Sequence, residues 1–352
     1  MNEVTPFLSV IVPAYQGEQV LPRVLEAIRA SDLPREQWEL IVVDDASTDA
    51  TAQVAARYAD RVLSLRGHPH GPGYARNRGV EASSGEWVVF IDADVVVHTD
   101  TLRLIAAVAR LEPDVDAVFG AYDDAPPAPQ FISQYRNLLH RYTHQVGAGD
   151  AETFWAGCGT VRKRAFVAVG GFDEARYPRP QIEDIELGYR LRDQGGRILL
   201  RPEIQGAHLK RWTWRGSVRT DLFDRGVPWV RLLLERGGLS ERASLNVKRG
   251  EQVKTAVVGV ALLLAAAALV LWRWDALIAS LVLLSAVAFS NRRQVAWFAR
   301  VRGPLFALAT VPMNLWYYLV SGTCVVLGYA QHFRAGRPRM QRLASLRSDT
   351  VT

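Results

Sequence analysis

Two pairs of acidic residues are the positions where residue type and spacing most directly indicate chemistry. Asp92 and Asp94 directly follow the apolar run WVVFI and are separated by one residue. Hard divalent cations prefer oxygen ligands, and Mg²⁺ or Mn²⁺ typically takes one or two carboxylates together with substrate phosphates, so this spacing favours a metal site. Glu183 and Asp184 begin a predicted helix (EDIELGYRLRDQG), where the helix dipole favours ionised carboxylates. The alternatives are an ordinary surface loop for the first pair and helix capping for the second.

Three further side chains have reactive chemistry but no evident partners in the sequence. His140 and His144 lie four positions apart on a predicted helix, which is a zinc-like spacing, but no third ligand accompanies them. We interpret them as structural or substrate-facing. Cys158 has no partner signature of a nucleophile and is interpreted as a small apolar filler. The glycine patterns of dinucleotide-binding and P-loop sites are also missing from the sequence.

Strand and helix patterns alternate along the first part of the chain. Strands are predicted at Leu8–Val12, Leu40–Val43, Arg61–Leu65 and Glu86–Ile91, with helices at Val20–Ala30, Asp49–Tyr58 and Ala75–Ala82 between them. This order indicates βαβ units, an α/β class and a mostly parallel sheet. Ligands of such sheets bind beyond the carboxyl ends of the strands. Polar or aromatic clusters stand at those ends, namely Ala14-Tyr15, Asp44-Asp45 and Asp92-Ala93-Asp94.

Five ordered segments resemble the family 2 glycosyltransferases with a GT-A (Rossmann-like) fold. They are SVIVPAYQGEQVLPRVLEAI, ELIVVDDASTDAT, GYARNRGVEASSGEWVVFIDAD, GCGTVRKRAFVAVGGFDE and EDIELGYRLRDQGGRI, within about residues 7 to 215. The resemblance implies a donor site for a nucleotide-diphosphate-sugar. Its implied residues are Pro13, Ala14, Tyr15, Glu18, Asp44, Asp45, Arg76, Asp92, Gly157, Arg211 and Trp212.

The same resemblance implies a role for each of these positions. Pro13, Ala14 and Tyr15 would line the nucleobase pocket, and Asp45 together with Asp44 would contact the base or ribose. Arg76 would lean over the nucleotide, Asp92 would touch the ribose, and Gly157 would lie beneath the donor sugar. Glu18 matches the acidic position after the tyrosine, although Gln16 replaces a frequent asparagine. The alternatives are a packed aromatic for Tyr15 and a solvated helix residue for Arg76.

The resemblance also implies the catalytic and metal-binding residues. Asp184 would be the general base that deprotonates the acceptor hydroxyl, with Glu183 as a supporting group. Asp94 and His208 would bind the divalent metal ion, Mg²⁺ or Mn²⁺. His208 stands where processive synthases have the glutamine of Q-x-x-R-W, and a structural histidine is its alternative. Arg211 and Trp212 would lie near the diphosphate or the acceptor.

The charge of the chain is concentrated near its C-terminus. The net charge is +6, while the segment after Lys254 contains ten arginines and two aspartates, so it carries +8 and the rest carries −2. Nucleic-acid binding therefore has no support from composition.

The composition excludes two further classes of protein. Hydrophobic residues are 49% of the chain, which excludes disorder. Two cysteines cannot form a disulfide framework or a four-ligand zinc site.

Three uncharged runs predict a membrane segment: Thr255–Trp272, Ala276–Ser290 and Leu305–Gln331. The alternative is that they are buried core helices of a soluble protein. Basic residues before the first run and after the second place the N-terminal body in the cytoplasm by the positive-inside rule. The third run is interrupted by Pro312, Asn314, Ser321 and Gly322, so it crosses or re-enters. The five arginines of the tail favour a re-entrant or interfacial segment. The stretch from Trp212 to Leu234 suits an interfacial amphipathic helix or a plain docking helix. The N-terminus lacks the basic region of a signal peptide.

These observations predict a membrane-anchored, inverting glycosyltransferase of the inner membrane with a cytoplasmic catalytic domain. It would transfer a sugar to a lipid-linked or growing glycan acceptor. The alternatives are a processive polysaccharide synthase and a catalytically inactive GT-A membrane scaffold. The predicted domains are 1–235 (nucleotide-binding half about 1–125, acceptor half about 126–235), a linker 236–254, a membrane segment 255–331 and a basic tail 332–352.

Overall fold

The computed structural model describes residues 6–238, 245 and 248–334, so most of the predicted basic tail and part of the predicted linker lie outside the described residues. The described chain divides into two compact units. The first runs to Trp214 and includes Leu245, and the second begins at Arg215. The division of the first unit into nucleotide-binding and acceptor halves stays a prediction.

The first unit is built on a sheet of nine strands in the order β3-β2-β1-β4-β8-β6-β9-β5, with β7 paired to β9. The strands are β1 Leu8–Ala14, β2 Trp38–Asp44, β3 Arg61–Ser64, β4 Trp87–Ile91, β5 Val95–Val97, β6 Val115–Tyr122, β7 Gly149–Ala151, β8 Cys158–Arg162 and β9 Arg197–His208. Strands β1 to β4, β6 and β9 run in one direction, whereas β5, β7 and β8 run in the other. The expected parallel pairing therefore holds from β3 to β4, and the rest of the sheet is mixed.

Helices cover both faces of this sheet. They are α1 Leu21–Arg29, α2 Thr51–Ala55, α3 Pro72–Ala82, α4 Thr101–Leu111, α5 Phe131–Val146, α6 Lys163–Ala168 and α7 Glu183–Asp193. Residues of α1 and α4 share one apolar core with the sheet, and residues of α3, α6 and α7 share the other. Neighbouring strand residues alternate between the two cores, as Val10 and Ile11 do. Burial on both faces explains why these strands are continuous apolar runs instead of alternating ones.

The second unit consists of helices. They are α8 Trp214–Arg219, a π-helical turn Thr220–Gly226, α9 Val227–Glu235, α10 Arg249–Leu271, α11 Trp274–Ser290, α12 Arg292–Arg302 and α13 Pro304–Arg334. The stretch predicted to be amphipathic is thus helical from Trp214 to Glu235.

Within the described residues, two helices, α10 and α13, are long and apolar enough to cross a membrane. The number rises to three if α11 and α12, which meet at a bend of 57°, form one broken span. With 23 residues α10 is about 34 Å long, and with 31 residues α13 is about 46 Å long. Pro312 lies inside α13 without ending it. The third apolar run is therefore one continuous helix, and crossing of the membrane stays a prediction.

A partly buried polar cluster joins α10, the junction between α11 and α12, and α13. The ammonium group of Lys254 donates to Glu251 Oε1 at 2.7 Å and to Asn291 Oδ1 at 2.9 Å. The hydroxyl group of Tyr318 lies 2.9 Å from Glu251 Oε2 and 3.1 Å from Asn291 Oδ1. The first turns of α10, the junction between α11 and α12, and the middle of α13 are thereby held together.

Candidate active site

The ends of the parallel strands bring the predicted donor residues to one edge of the sheet. Ala14 at the end of β1 is in register with Asp44 at the end of β2, and the backbone N–H of Asp45 donates to Ala14 O at 2.8 Å. Asp92 follows β4, which is paired with β1 on its other side. Because parallel strands end at the same edge, motifs far apart in sequence become neighbours.

Arg76 connects the two acidic motifs. Its Nη2 donates to Asp92 Oδ1 at 2.6 Å, and its Nη1 donates to Glu183 Oε1 at 3.0 Å. Arg76 is only 4% exposed, so it is not a solvated helix residue. Burial alone lowers its pKa, but the charges of Asp92, Glu183 and Asp184 outweigh that effect and raise it. Its contact with a nucleotide stays a prediction.

Asp184 is held by backbone groups at the start of α7. Its Oδ2 accepts a hydrogen bond from Ala156 N at 3.1 Å, and its Oδ1 accepts one from Ile185 N at 2.8 Å. Ala156 belongs to the small-residue segment WAGCG, so this contact joins the predicted base to the segment predicted beneath the donor sugar. Its neighbour Glu183 is buried and paired with Arg76, which suits a supporting group.

Two glycines allow close packing around the segment WAGCG (residues 155–159). A Cβ atom at Gly188, within α7, would lie 2.3 Å from Phe154 N, so any side chain there would push α7 away. A Cβ atom at Gly157 would lie 2.4 Å from the ring of Trp155. Gly157 was identified from the sequence, whereas Gly188 was missed. The sequence did contain a signal for Gly188, because a glycine inside a predicted helix usually has a packing reason.

Asp94 and His208, the predicted metal ligands, lie side by side. His208 Nε2 is 3.4 Å from Asp94 Oδ2, and His208 Nδ1 is 2.8 Å from Asn137 Oδ1. Burial alone raises the pKa of Asp94, but the hydrogen bond with His208 and the charges of His208 and Lys210 lower it overall. The carboxylate is therefore favoured.

This pair fits a divalent cation that takes its other ligands from substrate. No group of three or more His, Cys, Asp or Glu side chains within the described residues forms a metal site by itself. Mg²⁺ keeps its ligands at about 2.1 Å, so adjacent ligands stand about 3 Å apart, close to the observed separation of Asp94 and His208. One carboxylate and one imidazole, completed by diphosphate oxygens, suit Mg²⁺ or Mn²⁺.

The predicted nucleobase residues differ in exposure. Tyr15 is 51% exposed, which excludes the alternative of a packed aromatic. Asp44 and Asp45 are buried, and Asp45 accepts hydrogen bonds from His70 N and Gly71 N. Glu18 Oε2 accepts a hydrogen bond from Ala50 N at 2.9 Å. The two aspartates therefore already organise loops at this edge, and their contact with a base or ribose stays a prediction, as does the role of Pro13.

Two cationic side chains contact the indole ring of Trp212. The guanidinium carbon of Arg136 lies 4.0 Å from the ring centroid, and the ammonium nitrogen of Lys210 lies 4.4 Å from it. The backbone N–H of Trp212 donates to Ser133 Oγ at 2.8 Å, while Arg211 is exposed. The sequence indicated Arg211 and Trp212 but missed Arg136, which comes from α5 on a distant part of the chain.

The remaining candidates are packed into the fold. His144 Nδ1 donates to Gly120 O at 2.8 Å, and the ring of His140 lies 3.8 Å from that of His144 and 4.3 Å from that of Tyr122. Cys158 is fully buried, and burial, with the charge of Asp92, raises the pKa of its thiol to about 12. A thiol with this pKa is not an activated nucleophile at neutral pH.

Residues 9–170, just under half of the chain, match the model of glycosyl transferase family 2, so they form a family 2 glycosyltransferase domain. One relative is the poly(ribitol-phosphate) beta-N-acetylglucosaminyltransferase TarS of Staphylococcus aureus, 37% identical over 103 residues, which are 28% of this chain and 18% of TarS. Another is the validoxylamine A glucosyltransferase of Streptomyces hygroscopicus subsp. limoneus, 28% identical over 225 residues, which are 54% of this chain and 49% of that protein. The chain thus spans half or less of the length of these relatives.

Two solved structures share the fold. The mannosyltransferase PcManGT from Pyrobaculum calidifontis, in complex with GDP-Man and Mn²⁺, is 20% identical, with 91% of this chain and 87% of that chain covered and a TM-score of 0.54. TarS 1–349 of S. aureus, in complex with UDP-GlcNAc, is 19% identical, with 94% and 92% covered and a TM-score of 0.50. At these identities the likeness shows the fold alone. It confirms the predicted GT-A fold with a mostly helical C-terminal region.

Proposed function

We propose that this protein is a membrane-anchored, metal-dependent, inverting glycosyltransferase. It transfers a sugar from a nucleotide-diphosphate-sugar to a lipid-linked or growing glycan acceptor at the cytoplasmic face of the inner membrane. The family 2 domain at residues 9–170 supports glycosyl transfer, and the solved neighbours contain GDP-Man or UDP-GlcNAc, which supports a nucleotide-sugar donor. The curated relatives that modify poly(ribitol-phosphate) support a role in the cell envelope.

The observation that carries the proposal is the connection between the two acidic motifs through Arg76. Asp92 and Glu183 are held by one buried guanidinium group, and each has a second carboxylate, Asp94 or Asp184, beside it in the sequence. A glycosyltransferase needs a donor diphosphate and an acceptor hydroxyl close together, because proximity and orientation contribute much of the rate. An inactive scaffold has no need of this arrangement.

Asp184 is the proposed general base. Two backbone N–H donors hold its carboxylate: Ala156 N contacts Oδ2 and Ile185 N contacts Oδ1. The carboxylate takes the proton of the acceptor hydroxyl as that oxygen attacks the anomeric carbon from the side opposite to the diphosphate. A single displacement of this kind inverts the configuration of that carbon.

Asp94 and His208 are the proposed protein ligands of the divalent cation, and the cation, when bound, supplies positive charge for the leaving diphosphate. Lys210 and Arg211, two and three positions after His208, add positive charge in the same region. The ionised state of Asp94 is favoured by its contact with His208.

Membrane anchoring is supported by the lengths and composition of α10 and α13. The basic residues Lys248, Arg249 and Lys254 at the start of α10 support a cytoplasmic location of the preceding domain. Nucleotide-sugar donors are made in the cytoplasm, so this orientation gives the domain access to its substrate.

The test is a donor screen with the purified full-length chain in detergent or nanodiscs. Release of nucleoside diphosphate is measured for a panel of nucleotide-sugars, with and without polyprenyl-phosphate lipids and with and without excess chelator. We expect release from one or a few donors, stimulation by acceptor and loss of activity in chelator. Asp94→Asn should abolish turnover, whereas Asp114→Asn, which removes an exposed carboxylate, is the matched control. No binding or turnover of any donor would favour the scaffold alternative, and full activity in chelator would contradict metal dependence.

A further inference from the structure

His208 is held on two sides by residues of other elements. Asn137, in α5, is 1% exposed, and its Oδ1 accepts the hydrogen bond from His208 Nδ1. The ring of Tyr122, at the end of β6, lies parallel to the imidazole ring, with 4.3 Å between the centroids and 5° between the planes. The stacked ring fixes the plane of the imidazole, and the amide fixes its rotation within that plane.

The hydrogen bond to Asn137 also determines which nitrogen of His208 faces Asp94. An amide oxygen can only accept, so Nδ1 carries a hydrogen, and a neutral imidazole then has its lone pair on Nε2. Nε2 is the atom that lies 3.4 Å from Asp94 Oδ2. When no cation is bound, a proton on Nε2 makes the contact with Asp94 that lowers the pKa of that carboxyl group. A divalent cation held by both atoms takes the place of this proton. A proton on Nε2 is the competing arrangement, and it would prevent metal binding by this nitrogen.

We propose that Asn137 is a positioning residue for metal binding. It selects the tautomer of His208 with a free Nε2 and aims that nitrogen at the cation shared with Asp94. Partners of this kind orient metal-binding histidines, and their loss typically costs about 10- to 100-fold in metal affinity. The inference rests on the proposed function, because it requires a divalent cation at Asp94 and His208. Asn137 itself does not touch the substrate or the cation.

A pair of substitutions separates hydrogen bonding from packing. Asn137→Leu keeps a similar volume but removes the acceptor, whereas Asn137→Asp keeps an acceptor for Nδ1–H. Mn²⁺ binding is measured by electron paramagnetic resonance on the full-length protein, with Mn²⁺ alone and with added UDP or GDP. We expect Asn137→Leu to weaken Mn²⁺ binding by about 10- to 100-fold and Asn137→Asp to stay within about 3-fold of wild type. Equal Mn²⁺ binding by Asn137→Leu and wild type overturns the proposal, as does an equal loss in both variants.

Two further measurements keep the inference testable. If Asn137→Leu does not fold, nitrogen NMR of ¹⁵N-histidine-labelled wild type reports the tautomer directly, with the His208 signal assigned by its loss in His208→Gln. A proton on Nδ1 is expected throughout, with Nε2 losing its proton when Mg²⁺ is added, and an unprotonated Nδ1 contradicts the proposal. Failure of the proposed function has a different signature. In that case Asp94→Asn and His208→Gln bind Mn²⁺ as wild type does, whereas failure of the Asn137 proposal alone leaves both of them defective.

Discussion

Arg76 Nη2 lies 2.6 Å from Oδ1 of Asp92, the first carboxylate of the D-x-D pair, and the guanidinium group of this ion pair is buried. Asp92 follows a central strand, while Arg76 stands on a helix packed against the same sheet. The second nitrogen of the guanidinium reaches Glu183, 107 positions further along the chain. Arg76 is therefore the physical connection between the predicted metal motif and the predicted base motif.

Replacing Arg76 should damage both activity and stability. Arg76→Met leaves the carboxylates of Asp92 and Glu183 without their shared partner, and loss of one member of a buried ion pair typically costs about 3–5 kcal/mol. Arg76→Lys keeps the charge but lacks the fork that reaches two carboxylates, so it should also be impaired. We expect turnover to fall about 100-fold or more in Arg76→Met. Sugar transfer and the thermal unfolding midpoint are the measurements.

Arg164→Gln provides the control for this prediction. Arg164 is an exposed arginine of α6, so its loss removes one positive charge without breaking a buried pair. Wild-type activity in Arg76→Met would show that the connection between the motifs has no role in catalysis.

Asp184→Asn should slow sugar transfer while leaving donor binding intact. The amide keeps the shape of the side chain but cannot take a proton, and the loss of a general base costs typically about 10²- to 10⁴-fold in rate. Single-turnover transfer and donor affinity by calorimetry give the two quantities. Loss of donor affinity in this variant, with its fold intact, would assign Asp184 to the donor site instead.

The sequence predicted the positions of strands β1 to β4 and the sheet edge where the site residues lie. It predicted contacts between distant side chains less well. The strands β1, β2, β3 and β4 lie within a few residues of their predicted positions because an apolar run buried on two faces leaves a strong local signal. The pairing of Asp94 with His208 followed from the family resemblance.

Contacts that depend on the tertiary structure were not predicted. Arg76 and Glu183 are 107 positions apart in the sequence, and Asn137 and His208 are 71 positions apart. No local sequence pattern indicates that either pair is in contact. The antiparallel strand β8 was also missed. Its place between β4 and β6 depends on the tertiary pairing of strands from distant parts of the chain. Pro312 suggested an interruption, but the surrounding apolar residues continue the helix on both sides.

Gly188→Ala should impair catalysis although Gly188 has no chemistry of its own. The added Cβ would lie 2.3 Å from Phe154 N and 2.6 Å from Thr153 C, so α7 must move away from this backbone. That movement would stretch the hydrogen bond between Ala156 N and Asp184 Oδ2. We expect at least a 10-fold loss of transfer and a lower unfolding temperature.

Gly259→Ala tests whether any glycine-to-alanine change in a helix has this effect. A Cβ at Gly259 meets no described atom within 4 Å, and alanine favours a helix by about 1 kcal/mol over glycine. Transfer should therefore be unchanged and stability equal or higher. Normal transfer by Gly188→Ala would mean that α7 tolerates the shift and that its close packing does not position Asp184.

The orientation in the membrane can be read from reporters fused at two positions. A reporter at Gly250 should lie in the cytoplasm, because Lys248, Arg249 and Lys254 flank the start of the first candidate span. Alkaline phosphatase, active only outside the cytoplasm, and green fluorescent protein, fluorescent only inside it, form a complementary pair. A reporter at Gly250 found outside would contradict both the orientation and the use of a cytoplasmic donor.

A reporter after Thr352 shows whether the number of crossings is even or odd. The tail carries five arginines, whose transfer across the membrane is unfavourable, so we expect a cytoplasmic reporter. With α10 and the α11–α12 pair as one hairpin, that result gives two crossings and an interfacial or re-entrant α13. With the bent α11–α12 pair as the re-entrant segment, α10 and α13 are the two crossings. An external reporter would instead establish three crossings, which the length of α13, about 46 Å for 31 residues, allows. Replacing the five tail arginines with glutamine is the matched control: if they hold the tail inside, the replacement should move the reporter outside.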